Sequence, residues 1–192
     1  MLIDFTGTAM KPAKRSLLLL NAVVLVFAAT SAGQEPSEPF SHPPTSFSAE
    51  DAKFPDAVPL SSCARVSLAA DVHVASLLKH QNLTAEELPE EWFTASQQSL
   101  GTGAGDLMVV MGASLMRGAN ISPFWILRIR KSSCSLLLSA GGHDLMVLRH
   151  KSNGLPDIKT FAITVATTSE RLYRFDGHQY RLVRSRSYPN GS

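Results

Sequence analysis

The sequence predicts an α+β chain that is mainly β. A helix packs on an antiparallel β-meander of about six to seven strands, after a signal peptide and a disordered spacer. Three observations predict it. An apolar block from Ser16 to Ala29 (SLLLLNAVVLVFAA) follows Lys11, Lys14 and Arg15 and precedes the small residues Thr30, Ser31 and Ala32. Six of the eleven prolines fall between residues 34 and 62. From Phe93 onward, short alternating apolar runs are separated by Gly-Gly, Asn-Gly and Asp-Gly.

The apolar block is 14 residues long and contains Asn21. A spanning helix needs about 20 apolar residues. A shorter block behind a basic run reads instead as a secretory signal, cleaved after Ala32, so residues 1–32 are the expected signal peptide. The first nine residues carry Asp4 and no positive charge; a start at Met10 (MKPAKRSLLLL) gives a more typical beginning. No second apolar stretch approaches spanning length, so the mature protein is expected to be exported, periplasmic or secreted, with no transmembrane anchor. Leu60-Ser61-Ser62-Cys63 has the letters of a bacterial lipobox, but Asp51, Lys53 and Asp56 stand where an apolar region is needed.

Residues 33–62 are the expected spacer. Pro36, Pro39, Pro43, Pro44, Pro55 and Pro59 are separated by serine and glutamate. Such a stretch buries too little apolar surface to offset its ordering entropy. A single domain is expected over 63–186, with a tail at 187–192. Residues 64–79 (ARVSLAADVHVASLLK) carry Val66, Ala69, Ala70 and Leu77 on one helical stripe, with His73 on it. Thr84-Ala85-Glu86-Glu87 has the spacing of a capping box, and Pro89 limits the helix it would open to a short turn.

The expected strands are 107–111, 124–131, 135–140, 144–149, 158–166, 171–175 and 179–184. Trp125, Leu127 and Ile129 alternate onto one face, as do Phe161, Ile163 and Val165. Asp176-Gly177, between LYRF and YRL, predicts a two-residue hairpin loop with positive φ at Gly177.

Removing the signal leaves 15 basic and 15 acidic residues, but they are unevenly placed. Residues 33–91 hold ten acidic and three basic residues; residues 92–192 hold five acidic and twelve basic. The basic half suits an envelope protein or an anionic polymer as partner. Alternatively, the acidic half covers it. The balance carries no specific nucleic-acid signal, because such domains reach a more extreme pI. Cys63 and Cys134 are the natural disulfide pair in an oxidising compartment, the alternative being two buried thiols. Asn82, Asn120 and Asn190 lie in N-x-S/T sequons.

LPEEWF (88–93), DLMVVMG (106–112), GANISPFWILR (118–128), HDLMVL (143–148), NGLPDIK (153–159) and YRFDGHQY (173–180) occur in this order. Over residues 85–186 they resemble a class of small secreted bacterial proteins of unknown function. The resemblance implies a bacterial, exported, β-rich domain and transfers no catalytic residue.

No cofactor is expected. Gly101 to Gly105 is G-x-G-x-G and precedes a strand, whereas a dinucleotide loop opens a helix. No metal is expected either: His73 and His80 are seven apart, not four, and Asn153 and Asp157 alone are too few for calcium. His143-Asp144 with Ser139 has triad residue types, but neighbours on a strand point to opposite faces, and no G-x-S-x-G elbow occurs. The leading function is therefore a non-catalytic domain binding a protein or envelope polymer. The alternative is a small secreted hydrolase whose Ser/His/Asp site is assembled by folding. The candidate binding residues are Trp125, Asn153, Asp157, Arg174 and Arg181. Trp125 offers a stacking surface, its rival role being core. Arg174 and Arg181 form a basic ladder on the outer face of the last hairpin, the rival role being a charged edge that discourages aggregation.

Overall fold

The computed structural model describes residues 45–100, 105–118, 121–131 and 133–190. The expected signal peptide, residues 33–44 of the expected spacer and Asn120 lie outside them. The described chain runs β1 (Thr45–Ser48), α1 (Ser62–Ala69), α2 (Val72–His80), β2 (Phe93–Ser99), β3 (Asp106–Gly112), β4 (Ser122–Arg130), β5 (Ser133–Gly142), β6 (Asp144–Ser152), β7 (Leu155–Ile163), β8 (Thr167–Phe175) and β9 (Tyr180–Pro189). It is mainly β, and all seven expected strands are present.

The single expected meander is instead two antiparallel sheets, ordered β2-β3-β4-β5 and β1-β6-β7-β8-β9. The reason lies in β3 and β4. Leu107, Val109, Met111, Phe124 and Ile126 pack against the five-stranded sheet, in a core with Leu145, Ile158, Tyr173 and Phe175. Met108, Val110, Trp125 and Leu127 point the other way, onto Leu68, Val74 and Leu78 of the helices. A sheet apolar on both faces needs a cover on each. The chain changes sheets at Gly142-His143. A Cβ on Gly142 would lie 2.9 Å from the Phe161 carbonyl oxygen and 3.1 Å from that of Asp144, so only glycine fits this corner.

The helical segment is divided at Ala70-Asp71. The Asp71 carboxylate accepts from the N–H groups of His73 (3.0 Å) and Val74 (3.4 Å), starting a second helix where the sequence pattern continues the first. The break moves the stripe: Ala64, Leu68, Val74 and Leu78 are buried, and Val66 is 70% exposed. At Thr84 the Glu87 carboxylate does reach back to the Thr84 N–H, 2.8 Å away, but it closes a turn and no α-helix comes after it.

Two expected boundaries change. Residues 45–62 belong to the fold and not to a disordered spacer. β1 pairs with β6 from Thr45↔Val147 to Ser48↔Asp144, and Phe47 and Phe54 supply buried aromatic surface to the sandwich core. Likewise Ser187, Tyr188 and Pro189, expected in the tail, extend β9 along β8. The polar run of β2 (FTASQQS) is an edge strand, exposed over much of its second half, which is why it carries no clean alternation.

The last hairpin is longer than the sequence implies. Phe175 pairs with Tyr180, and Asp176 N–H donates to the Gln179 carbonyl, leaving Gly177 and His178 at the tip. Gly177 has φ +107°, as expected, with open space where a Cβ would stand. Gly177→Val should therefore cost about 1–3 kcal/mol through backbone strain alone. Arg186→Ala, on the exposed part of β9, should change stability by less than about 0.5 kcal/mol. Urea melts giving the two variants equal midpoints would contradict this turn geometry. The two-residue loop with positive φ at both positions is Asn153-Gly154, at 48° and 84°, between Ser152 and Leu155.

Candidate functional site

Four of the five candidate binding residues meet at one end of the five-stranded sheet. A bulge assembles them. Val147 pairs with Ile158 and Lys151 with Pro156, so Leu148, Arg149 and His150 stand opposite Asp157 alone. The extra residues bring His150 Nδ1 to 2.9 Å from Asp157 Oδ2. Arg174, from β8, donates its Nε–H to the same oxygen at 3.1 Å. Asp157 is only 2% exposed, and its Oδ1 is buried without a partner. Beside it the Tyr180 hydroxyl donates to the Pro156 carbonyl at 2.6 Å. Burial, and then the Asp157 charge, hold the Tyr180 phenol well above its ordinary pKa, with Arg128 pulling the other way. The Asn153 side chain donates to the Phe175 carbonyl at 2.7 Å and ties the β6–β7 turn to the end of β8.

Arg174 and Arg181 are direct cross-strand partners, as the ladder reading expects. Like charges so placed repel, and each has its own carboxylate: Asp157 for Arg174, Asp176 for Arg181 at 3.0 Å. Arg184 shares Glu170 with Lys159, both at 3.3 Å. Arg171 and Arg186 have no acidic partner among the described residues. Where the hairpin tip faces β4 and β5, a pocket of about 180 Å³ is lined by Arg128, Arg130, Gly177 and His178. Partial burial, and then the neighbouring Arg130 charge, lower the Arg128 pKa.

Asp176 organises the tip. Its Oδ1 accepts from the N–H groups of Gln179 (2.9 Å) and His178 (2.8 Å), and its Oδ2 accepts from Arg181. These bonds, the backbone ones foremost, hold its pKa well below the ordinary carboxylate range. Its stabilising contribution is therefore complete above the unfolded carboxylate value of about 4 and is lost as pH falls through the lowered folded value. Asp176→Asn should show a smaller loss of stability between neutral and strongly acidic pH than the unmodified protein. Urea midpoints at about pH 7 and pH 2 decide it, and equal losses would exclude the carboxylate as the source.

Trp125 does not join the site. It is fully buried between the helices and β4, edge-on to Phe93 at 5.6 Å between ring centres. Its alternation with Leu127 made core the rival role, and core is where it lies. Cys63 and Cys134 are at disulfide distance, with Cα atoms 5.3 Å apart, joining the start of α1 to β5. His143 also departs from expectation. It occupies the corner between sheets and not a strand, so its ring reaches both Asp144 Oδ2 (3.2 Å) and Glu50 Oε1 (3.3 Å). Among the described residues no serine hydroxyl is hydrogen-bonded to a histidine ring, and no three His, Cys, Asp or Glu side chains are grouped to hold a metal ion.

Sequence reasoning passed over His150 and Asp176 as members of the site. His150 is brought in by the bulge, which has no local signature. Asp176 was visible as a turn former, and Asp at this position commonly bonds the backbone two residues on. A depression of about 710 Å³ runs along β2 past Glu90 and Glu91 and shares no residue with the arginine hairpin. No helix among the described residues is long and apolar enough to cross a membrane. No protein-family model matches the chain, nor does a curated protein or a solved structure.

Proposed function

We propose that the chain is an exported bacterial, non-catalytic domain that binds an envelope protein or anionic polymer through the β8–β9 hairpin. One observation carries the reading. Between Thr167 and Pro189 five arginines stand against two acidic residues, and β9 is an exposed edge strand over most of its length. An edge strand offers unpaired backbone groups, and arginine offers planar donors for carboxylate and phosphate. The Asp157 cluster and the Asn153 bond hold this end of the sheet rigid, so the arginines are presented in fixed order. A disulfide across the domain suits an oxidising compartment and supports export.

The test is retention on an immobilised polyanion, with polyglutamate and polyphosphate as probes. The unmodified protein should bind and be released by salt, since exposed charge pairs are screened within about 10 Å at 0.1 M. Replacing Arg181, Arg184 and Arg186 together by glutamate should abolish retention. Binding that survives this triple change, or no binding to either probe, overturns the reading. Export has its own check: N-terminal sequencing of secreted material should begin near Gly33, and a mature chain retaining Ser16 to Ala29 would contradict it.

A further inference from the structure

A cleft of about 500 Å³ opens between β5 and β8, away from the outer arginines. We infer that it binds a small carboxylate with an apolar body. Four polar side chains from three elements converge on it: Arg171 and Tyr173 of β8, Ser139 of β5 and His73 of α2. None of the four makes a side-chain hydrogen bond or ion pair within the described protein. That sets Arg171 apart from Arg174, Arg181 and Arg184, each of which holds a carboxylate.

Its direction is what makes Arg171 unusual. Arg171 and Tyr173, two apart on β8, line the same cleft, whereas Arg174 is turned to Asp157. The Arg171 side chain is exposed and lines the cleft without a carboxylate partner among the described residues, so its donors are open to an anion that arrives from solvent. The rest of the lining is apolar and includes Met116, Ile121 and Pro123. The volume lies in the range of small-ligand sites, which combine apolar walls with a few convergent polar groups. One arginine with two hydroxyls matches a monoanion. A phosphate dianion would call for a second permanent cation, and none lines the cleft. Arginine engages carboxylate through two parallel N–H donors.

Hexanoate is the probe, with hexanol as the uncharged control, measured by titration calorimetry on the unmodified protein and three variants. Hexanoate should bind and hexanol should not. Arg171→Met should weaken hexanoate by about tenfold or more, the scale of losing charge-assisted bonds to an anion. Gly141→Leu should weaken it as well, because a Cβ there already stands 3.5 Å from Ile121 and a longer side chain fills the cleft. Arg186→Met, on the outer face, should leave it unchanged. Equal losses in Arg171→Met and Arg186→Met, or no binding by the unmodified protein, would overturn the inference. If a cleft variant fails to fold, methyl NMR of the unmodified protein decides. Shifts at Ile121 and Ala140 on adding hexanoate support the site, and shifts confined to Leu182 and Val183 exclude it. A peptide ending in leucine, with a free or an amidated C-terminus, then separates the two sources of this chemistry. Binding of the free acid alone assigns a chain end, and binding of neither peptide assigns a free small acid.

Discussion

Trp125→Ala should lower the unfolding free energy by about 3–5 kcal/mol, the range for removing a large aromatic side chain from a packed core. Trp125 is fully buried and lies where the helices close over β4, with Phe93 against its edge. The cavity would open in the middle of the apolar cluster that also contains Leu68, Val74 and Met108, so several elements would have to shift to fill it. The indole N–H is buried without a partner, so its loss frees no donor and offsets part of the cost. Trp125→Phe should cost clearly less. Polyanion retention by that milder variant should equal that of the unmodified protein, since the indole lies on the opposite side of the four-stranded sheet from the hairpin. A loss of retention without a loss of stability would return Trp125 to the binding surface.

The second large effect is expected from the cysteines. Replacing Cys63 and Cys134 together by serine should cost about 4 kcal/mol on the chain-entropy account, in which a cross-link restricts the unfolded chain more as its loop lengthens. The two are 71 residues apart in sequence. Their bridge links α1 to β5, so it anchors the helical layer to one edge of the four-stranded sheet. Non-reducing mass analysis of exported protein should show both sulfurs bridged within one chain. Urea midpoints of oxidised and reduced protein should differ in the same direction as those of the double variant. Free thiols in exported material would remove this contribution altogether.

Several elements were legible because their information is local. The seven strands carry alternation or apolar runs bounded by turn formers. Gly177 announces its positive φ, since a backbone conformation that excludes side chains selects glycine directly. The helical segment was visible from its spacing, but not its division, because Asp71 looks the same in a helix as at a cap until its side chain is placed. β1 was hidden: a four-residue strand among prolines has no pattern of its own, and only pairing with β6 and the burial of Phe47 define it.

The candidate site divides in the same way. Asn153 and Asp176 are turn residues, and their backbone bonds arise from short-range geometry. Arg174 and Arg181 could be paired across a hairpin from the sequence once its loop was placed. The junction of His150, Asp157 and Tyr180 could not, because it depends on the extra residues of the β6 bulge, and the register of a bulge is set by packing between sheets.

The sequence by itself determined that the described chain is rich in antiparallel strands, where most of those strands lie, and that its basic residues gather in the second half. These are consequences of side-chain periodicity, turn chemistry and charge count. Only the tertiary structure decided that the strands divide into two sheets, that Trp125 is core, and that Arg171 lines a cleft while Arg174 is held by Asp157. A pattern in one strand records that a face is buried, but not what buries it. Which sheet or helix supplies the cover depends on contacts between residues far apart in the chain.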